Sequence, residues 1–209
     1  MLKRESDGSL IELKDGYKIS KEITTFNAIG KHLEWIRFDD DSSIIEIRTW
    51  QFDRQNKIIE WNYFNSDRSL NYQETCKYDD NGNRTEFIGK EGNEYFVFNT
   101  DNQELSWHFY EKDSTLRFKR LREFDNLGNK ISEIYIYKDK EVRTEYTYDI
   151  ENRLIQEIGG AMNFKTIFKY SLDNRVINEI VYNELGELIS NCFNEYDEFG
   201  NLVKETYVT

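Results

Sequence analysis

Proton transfer and metal binding lean first on histidine, and this chain of 209 residues has two, His32 in "KHLEWIRF" and His108 in "LSWHFY". Neither has a Cys or second His at metal-ligand spacing, so both read as ordinary strand histidines. Cys76 and Cys192 are 116 residues apart and form no Cys-x-x-Cys pair, which reads as two buried free thiols in a reducing compartment. No local context supports a Ser-His-Asp or Cys-His arrangement. With 40 acidic residues, paired carboxylates are inevitable and no glycosidase pair stands out. The most inviting cation site is "DDNGN" from Asp79. Its equivalents elsewhere place Leu127, Leu185 and Phe199 just before the glycine, and an apolar side chain supplies no oxygen ligand. No Gly-rich phosphate loop opens a helix, and no basic patch interleaves with aromatics. The expectation is a chain with no cofactor, no metal and no enzymatic activity.

Two features suit binding instead. Trp35, Trp50, Trp61 and Trp107 would serve as protein hot spots or sugar-stacking platforms if they lie on an exposed sheet face, and as core if they do not. Asp39, Asp40 and Asp41 form an acidic run that could meet a basic partner or simply solvate a turn. A net charge of −12 opposes binding to nucleic acid or an anionic membrane, both of which demand a basic footprint.

These residues must be held by elements, and the elements announce themselves through a recurring phrase. "YDEFGNLVKE" at Tyr196 returns as "FDNLGNKISE" at Phe124, "YNELGELISN" at Tyr182, "YDIENRLIQE" at Tyr148 and "YDDNGNRTEF" at Tyr78. Aligned on Phe52, Tyr78, Phe98, Phe124, Tyr148, Tyr170, Tyr182 and Tyr196, the next residue is Asp, Asn or Ser. Four residues past the aromatic stand Asn56, Gly82, Asn102, Gly128, Asn152, Asn174, Gly186 and Gly200. The short polar side chain can accept backbone N–H groups two or three residues on, and Gly or Asn tolerates the left-handed conformation that closes a hairpin. Apolar pairs such as Ile58-Ile59 and Leu202-Val203 then begin the return strand. Weaker copies start at Phe38, Phe64 and Tyr110, with Ser42, Arg68 and Ser114 at the turn position.

A longer period overlies the short one: Trp61 and Trp107, Phe52 and Phe98, and the series Tyr78, Phe124, Tyr170 are each spaced by 46. Further turns are signalled by "KEGN", "KDKE" and "NELG", giving about four strands per repeat and roughly 16 short strands in all. No proline interrupts them, as sheet interiors require. A propeller blade also has four strands, but its blades need a long return connection, whereas every connection here reads as a tight turn. The expected fold is therefore all-β, an antiparallel meander curled into a partial shell or two packed layers. It is expected as one domain over residues 1–209, with 1–30 as a possible cap and the repeats over 38–207.

"YDEFGNL", "FDNLGNK" and "YDIENRL" resemble the YD repeats of Rhs-type proteins, whose tandem units build a long β-sheet that spirals into a hollow shell. The likeness covers roughly residues 38–207 and departs in having Asn where Arg often follows the glycine, and Asn for several glycines. A weaker resemblance is to the MORN-like repeats of YwqK-type antitoxin proteins. Small acidic proteins with such repeats are often immunity proteins encoded beside polymorphic toxins, and that is what the resemblance implies here.

No segment has the apolar length of a signal peptide or membrane span, so a cytoplasmic location is expected. The functional expectation is a non-enzymatic protein-binding module, concretely an immunity protein occluding a basic toxin domain through an acidic, aromatic-bearing face. The alternative is a carbohydrate- or surface-binding module that uses its aromatics as platforms.

Overall fold

The computed structural model describes residues 2–4, 10–12, 21–138 and 140–208, with side chains from Lys21 onward. No helix occurs among them, and 18 strands do, of which 16, β3 to β18, lie from Lys21 onward. The chain divides into two compact units, Met1–Tyr95 with Tyr110–Thr115, and Phe96–Phe109 with Leu116–Thr209.

The first unit holds β1 (Leu2–Arg4), β2 (Leu10–Glu12), β3 (Lys21–Phe26), β4 (His32–Phe38), β5 (Ile44–Phe52), β6 (Ile58–Phe64), β7 (Leu70–Tyr78), β8 (Arg84–Ile88) and the start of β9 (Asn93–Phe98). Each pairs antiparallel with its sequence neighbour. The second unit holds most of β10 (Glu104–Tyr110), then β11 (Leu116–Phe124), β12 (Lys130–Tyr137), β13 (Lys140–Tyr148), β14 (Leu154–Gly159), β15 (Phe164–Tyr170), β16 (Val176–Tyr182), β17 (Leu188–Tyr196) and β18 (Leu202–Val208). From β11 onward these form the same kind of meander. The expected cap at 1–30 lies only partly within the described residues. Its last part is an ordinary hairpin, because "FNAIGK" at Phe26 carries the turn phrase too.

The phrase makes its turn in one way. In the turn after β5, the Asp53 carbonyl accepts the Asn56 N–H at 3.1 Å, and the Asp53 N–H donates to the Lys57 carbonyl at 2.9 Å. The Asp53 carboxylate accepts the N–H groups of Gln55 and Lys57 at 2.8 and 2.9 Å. Asn56 sits at φ 63°, and the pairing register slips by one between Gln51 and Phe52. This is a type I turn closed by a left-handed residue and a one-residue bulge. Asn56, Gly82, Asn102, Gly128, Asn152, Asn174, Gly186 and Gly200 all have positive φ, as do Ser42, Arg68 and Ser114 in the weaker copies.

Because strands alternate in direction, successive turns fall on opposite edges. One edge, here the aspartate edge, carries the turns at 27–31, 53–57 and 79–83 in the first unit, and those at 99–103, 125–129, 149–153, 171–175 and 197–201 in the second. The other, mixed edge carries 39–43, 65–69, 89–92 and 111–115 in the first unit and 137–140, 160–163 and 183–187 in the second. On the aspartate edge the phrase tyrosines staple neighbouring hairpins, donating their hydroxyls to backbone carbonyls: Tyr78 to Ile58 at 3.0 Å, Tyr148 to Lys130 at 3.0 Å, Tyr170 to Leu154 at 2.7 Å and Tyr196 to Val176 at 2.9 Å.

Burial is shallow. Among the described residues the buried apolar side chains are Ile36, Ile47, Cys76 and Cys192, and element contacts run between sequence neighbours. Each unit is thus one layer thick rather than two packed layers, and the side chains of both faces are mostly half-buried. Stability in such a sheet comes from ladders and cross-strand pairs more than from a dry core.

Candidate functional site

The bulges decide which side chains share a face, since partners across a ladder point the same way. Trp50 lies opposite Trp61, and Trp61 lies opposite Glu74. Arg48 lies between Trp35 and Tyr63, and Tyr63 opposite Tyr72. The face of the first unit therefore carries a stripe in which rings alternate with ions.

Its geometry is close. The Arg48 guanidinium sits 4.9 Å from the Trp35 ring centre and 5.2 Å from that of Tyr63, while its Nε donates to Glu46 at 2.7 Å. Tyr63 stacks on Tyr72 at 4.0 Å, and the Lys90 ammonium lies 4.7 Å from the Tyr72 ring. Burial, reinforced by the Tyr63 phenol, pushes the Tyr72 hydroxyl up to about 12. The Trp35 indole N–H donates to Glu22 at 3.3 Å, that of Trp61 donates to Glu74, and Trp61 stacks on Phe87 at 5.7 Å. Cations over ring faces and indole N–H groups on carboxylates satisfy the polar ends while leaving ring edges open.

The second unit repeats the theme around Trp107, which stacks on Phe96 and Phe118 at 6.5 and 6.1 Å, with the Arg120 guanidinium 5.3 Å from its ring. Arg120 Nε donates to Glu104 at 2.9 Å, and Arg122 Nε to Glu133 at 2.6 Å. Glu133 is buried and also takes Lys130 at 3.0 Å. Burial works to raise its carboxyl pKa, but the hydrogen bonds from Arg122 and Lys130 outweigh it, and the net shift is downward. A buried carboxylate held by two cations is a satisfied network.

All four tryptophans are half-buried. Asp39, Asp40 and Asp41 are exposed on the mixed edge, between β4 and β5. Asp39 carries the turn's backbone bonds to Ser42 and Ser43. Asp41 accepts the Ser43 N–H at 2.9 Å, and its hydrogen bonds from the Ser43 hydroxyl and N–H hold its carboxyl below the usual range. Trp50 and Trp61 lie toward the aspartate edge, next to the 53–57 turn. Aspartates and tryptophans are not brought together. The Asp79 carboxylate is occupied by the Asn83 N–H and side-chain amide at 2.8 and 3.0 Å, and no group of three or more metal-ligating side chains occurs among the described residues. Cys76 and Cys192 are free and buried.

A cleft escaped the sequence reading. It opens at the aspartate edge of the first unit, has a volume of about 480 Å³, and is walled by Trp50, Phe52, Ile58 and Tyr78, with Lys31, His32 and Lys57 at its rim. The residues come from four strands and two turns, so no local phrase could mark it.

No family model matches the chain, and no curated protein matches it in sequence. Solved structures share its fold. In the Photorhabdus luminescens Tc holotoxin pore with a mutated TccC3, a stretch superposes with a TM-score of 0.65 at 12% identity, covering 95% of this chain and 11% of that one. The crystal structure of TcdB2-TccC3 superposes at 0.46 with 11% identity, covering 95% and 12%. The chain thus spans a small part of these two proteins, and the likeness is one of fold: an Rhs-like β-repeat sheet, as the resemblance of its repeats implied.

Proposed function

We propose that this chain is a non-enzymatic, protein-binding module of a bacterial toxin system, acting in the cytoplasm as an immunity protein that occludes a cognate toxin domain. The observation that carries the reading is the stripe of half-buried Trp, Tyr and Arg on a single-layered sheet. These are the residue types on which protein interfaces concentrate their energy, and among the described residues no second layer covers them. Their rotamers are already fixed by stacking and ion pairing, which lowers the ordering cost of association. The acidic balance, a net charge of −12, would speed encounter with a basic partner.

The test is co-expression with the product of the adjacent gene. Complex formation and protection of the cells support the reading; neither occurring, with tight glycan binding instead, overturns it. Within a complex, Trp61→Ala is expected to cost about 2 kcal/mol of affinity or more. Replacing Asp39, Asp40 and Asp41 by Asn is expected to slow association, with little change in dissociation. The carbohydrate reading draws on one observation, Trp50 in the cleft wall. Against it, Trp35 and Trp107 already have guanidinium groups over their rings, so those stacking faces are taken.

A further inference from the structure

The cleft at the aspartate edge of the first unit runs against the charge of the molecule. In a chain with 40 acidic and 28 basic residues, its rim gathers Lys31, Lys57 and His32 around the rings of Trp50, Phe52 and Tyr78. Among the described residues neither lysine has a carboxylate within ion-pair distance, although several other cations of this unit are paired, Arg37 with Glu46 at 3.3 Å and Lys77 with Glu86 at 2.8 Å among them.

Lys57 is also positioned. Its ammonium lies 5.0 Å from the centre of the Tyr78 ring, a cation–π contact that fixes the charge at the cleft wall. Gly82 leaves it room there: a Cβ at that place would come within 2.2 Å of the ammonium nitrogen, and the flexible lysine would have to move. The carboxylate of its own turn, Asp53, has one oxygen committed to the N–H groups of Gln55 and Lys57. His32 meets the Trp50 ring edge-on at 5.7 Å and that of Phe26 at 4.7 Å, which anchors the imidazole at the rim.

Aromatic walls with a few convergent polar groups, at a volume inside the usual 300–1,000 Å³ of ligand sites, define what would fit. From this charge and shape complementarity we infer that the cleft takes a carboxylate borne beside an aromatic side chain, an acidic-aromatic dipeptide unit of a partner chain. The ring packs between Trp50 and Phe52 while the carboxylate meets Lys31 and Lys57. The inference goes beyond the protein-binding reading without depending on the partner being a toxin.

The test uses the full chain and the capped dipeptide Ac-Glu-Phe-NH2, followed by chemical shifts of the Trp50 indole and His32 ring. Saturable binding is expected, at least tenfold weaker for Ac-Gln-Phe-NH2 and weaker again as salt rises from 50 to 500 mM. Lys31→Met with Lys57→Met should abolish it with the melting curve unchanged, while Lys57→Arg should retain it. Equal binding of the Gln peptide, survival in the double Met variant, or no saturable shift would each overturn the site. Phenylacetate binding as tightly as the dipeptide would overturn the assignment to a chain segment. Because the probe is a peptide and not the adjacent gene product, failure here and failure of the immunity reading are told apart.

Discussion

The two edges of the first unit solve the same turn with different chemistry. On the aspartate edge all eight turns place Gly or Asn at the left-handed position. In six of them one side chain, Asn27, Asp53, Asn99, Asp125, Asp149 or Asp197, accepts two backbone N–H groups. In the second unit these turns also hold one another: Gln103 donates to the Gly128 carbonyl at 2.8 Å, Asn129 to Asn152, Arg153 to Asn174 at 3.0 Å, and Arg175 to the Asp197 carbonyl at 3.2 Å. The mixed edge places Ser42, Arg68, Ser114 and Lys138 at positive φ. At three of its turns Asp41, Asp67 and Asp113 each hold a single N–H, two residues on, whereas at 183–187 Asn183 accepts the N–H groups of Leu185 and Glu187 and Gly186 takes the positive φ, as on the aspartate edge. The lesson is that a positive φ by itself does not impose Gly or Asn. The motif holds throughout the edge where turns also fit against one another, and at one turn, 183–187, of the other.

Four measurements can break or sharpen that contrast. The largest effect is expected on the mixed edge, from Gly159→Ala. Gly159 has φ +119°, and a Cβ there would stand 2.0 Å from the Arg143 carbonyl oxygen, so a loss of about 3 kcal/mol in chemical denaturation is expected. A mild result would show that β13 and β14 can separate without cost. Next is Gly128→Val on the aspartate edge, at φ +85° with Gln103 at 3.3 Å, expected to cost about 2 kcal/mol, with Gly128→Asn mild; equal melting temperatures for both variants would remove backbone strain as the reason for the motif. In the opposite direction, Arg68→Gly should relieve a strained turn at φ 65° and stabilise by about 1 kcal/mol. The contrast between edges fails if Arg68→Gly is neutral and Asn56→Ser is neutral too.

The smallest effect is in the pH profile. Asp41 and Asp67 on the mixed edge and Asp125 and Asp197 on the aspartate edge have carboxyls held below 3.8 chiefly by hydrogen bonds from turn side chains. Their contribution is present above the unfolded value of 3.8 and is lost as pH falls through the lower folded values. Tyr72, pushed to about 12, contributes below the unfolded value of 10 and loses that contribution as pH rises toward 12. Through these groups melting temperature should fall below the acid limit and above the basic one. Asp125→Asn should flatten the acid limb more than Asp41→Asn, because Asp125 serves two backbone amides and the Asn129 side chain.

The strand order and turn positions could be read directly from the sequence, because each turn is specified within six residues by groups that act on their own backbone. The hairpin at 27–31 was passed over although "FNAIGK" meets the pattern, and the turn at 160–163 carries "GAMN" in place of any such phrase. The faces were harder. Each bulge adds one residue to one side of a ladder, so simple alternation loses its phase at every turn that carries the phrase. The pairing of Trp50 with Trp61, the reach of Arg48 between Trp35 and Tyr63, and the meeting of Lys31 with Lys57 all depend on that phase. Residues Asp39 to Asp41 were conspicuous as a run, yet a run in sequence places its charges at one turn and says nothing of which rings lie near it.

The tyrosine staples bear on how long such a protein can be. Tyr78, Tyr148, Tyr170 and Tyr196 each bind a carbonyl of the adjoining strand, on the edge where no turn joins the two. Every such bond refers to the next strand alone and to nothing farther off. Removing or inserting a whole pair of strands would leave each remaining bond with its partner, whereas a domain built around a dry centre would be left with a hole or an overfilled interior. Length in this architecture is a free variable, counted in hairpins.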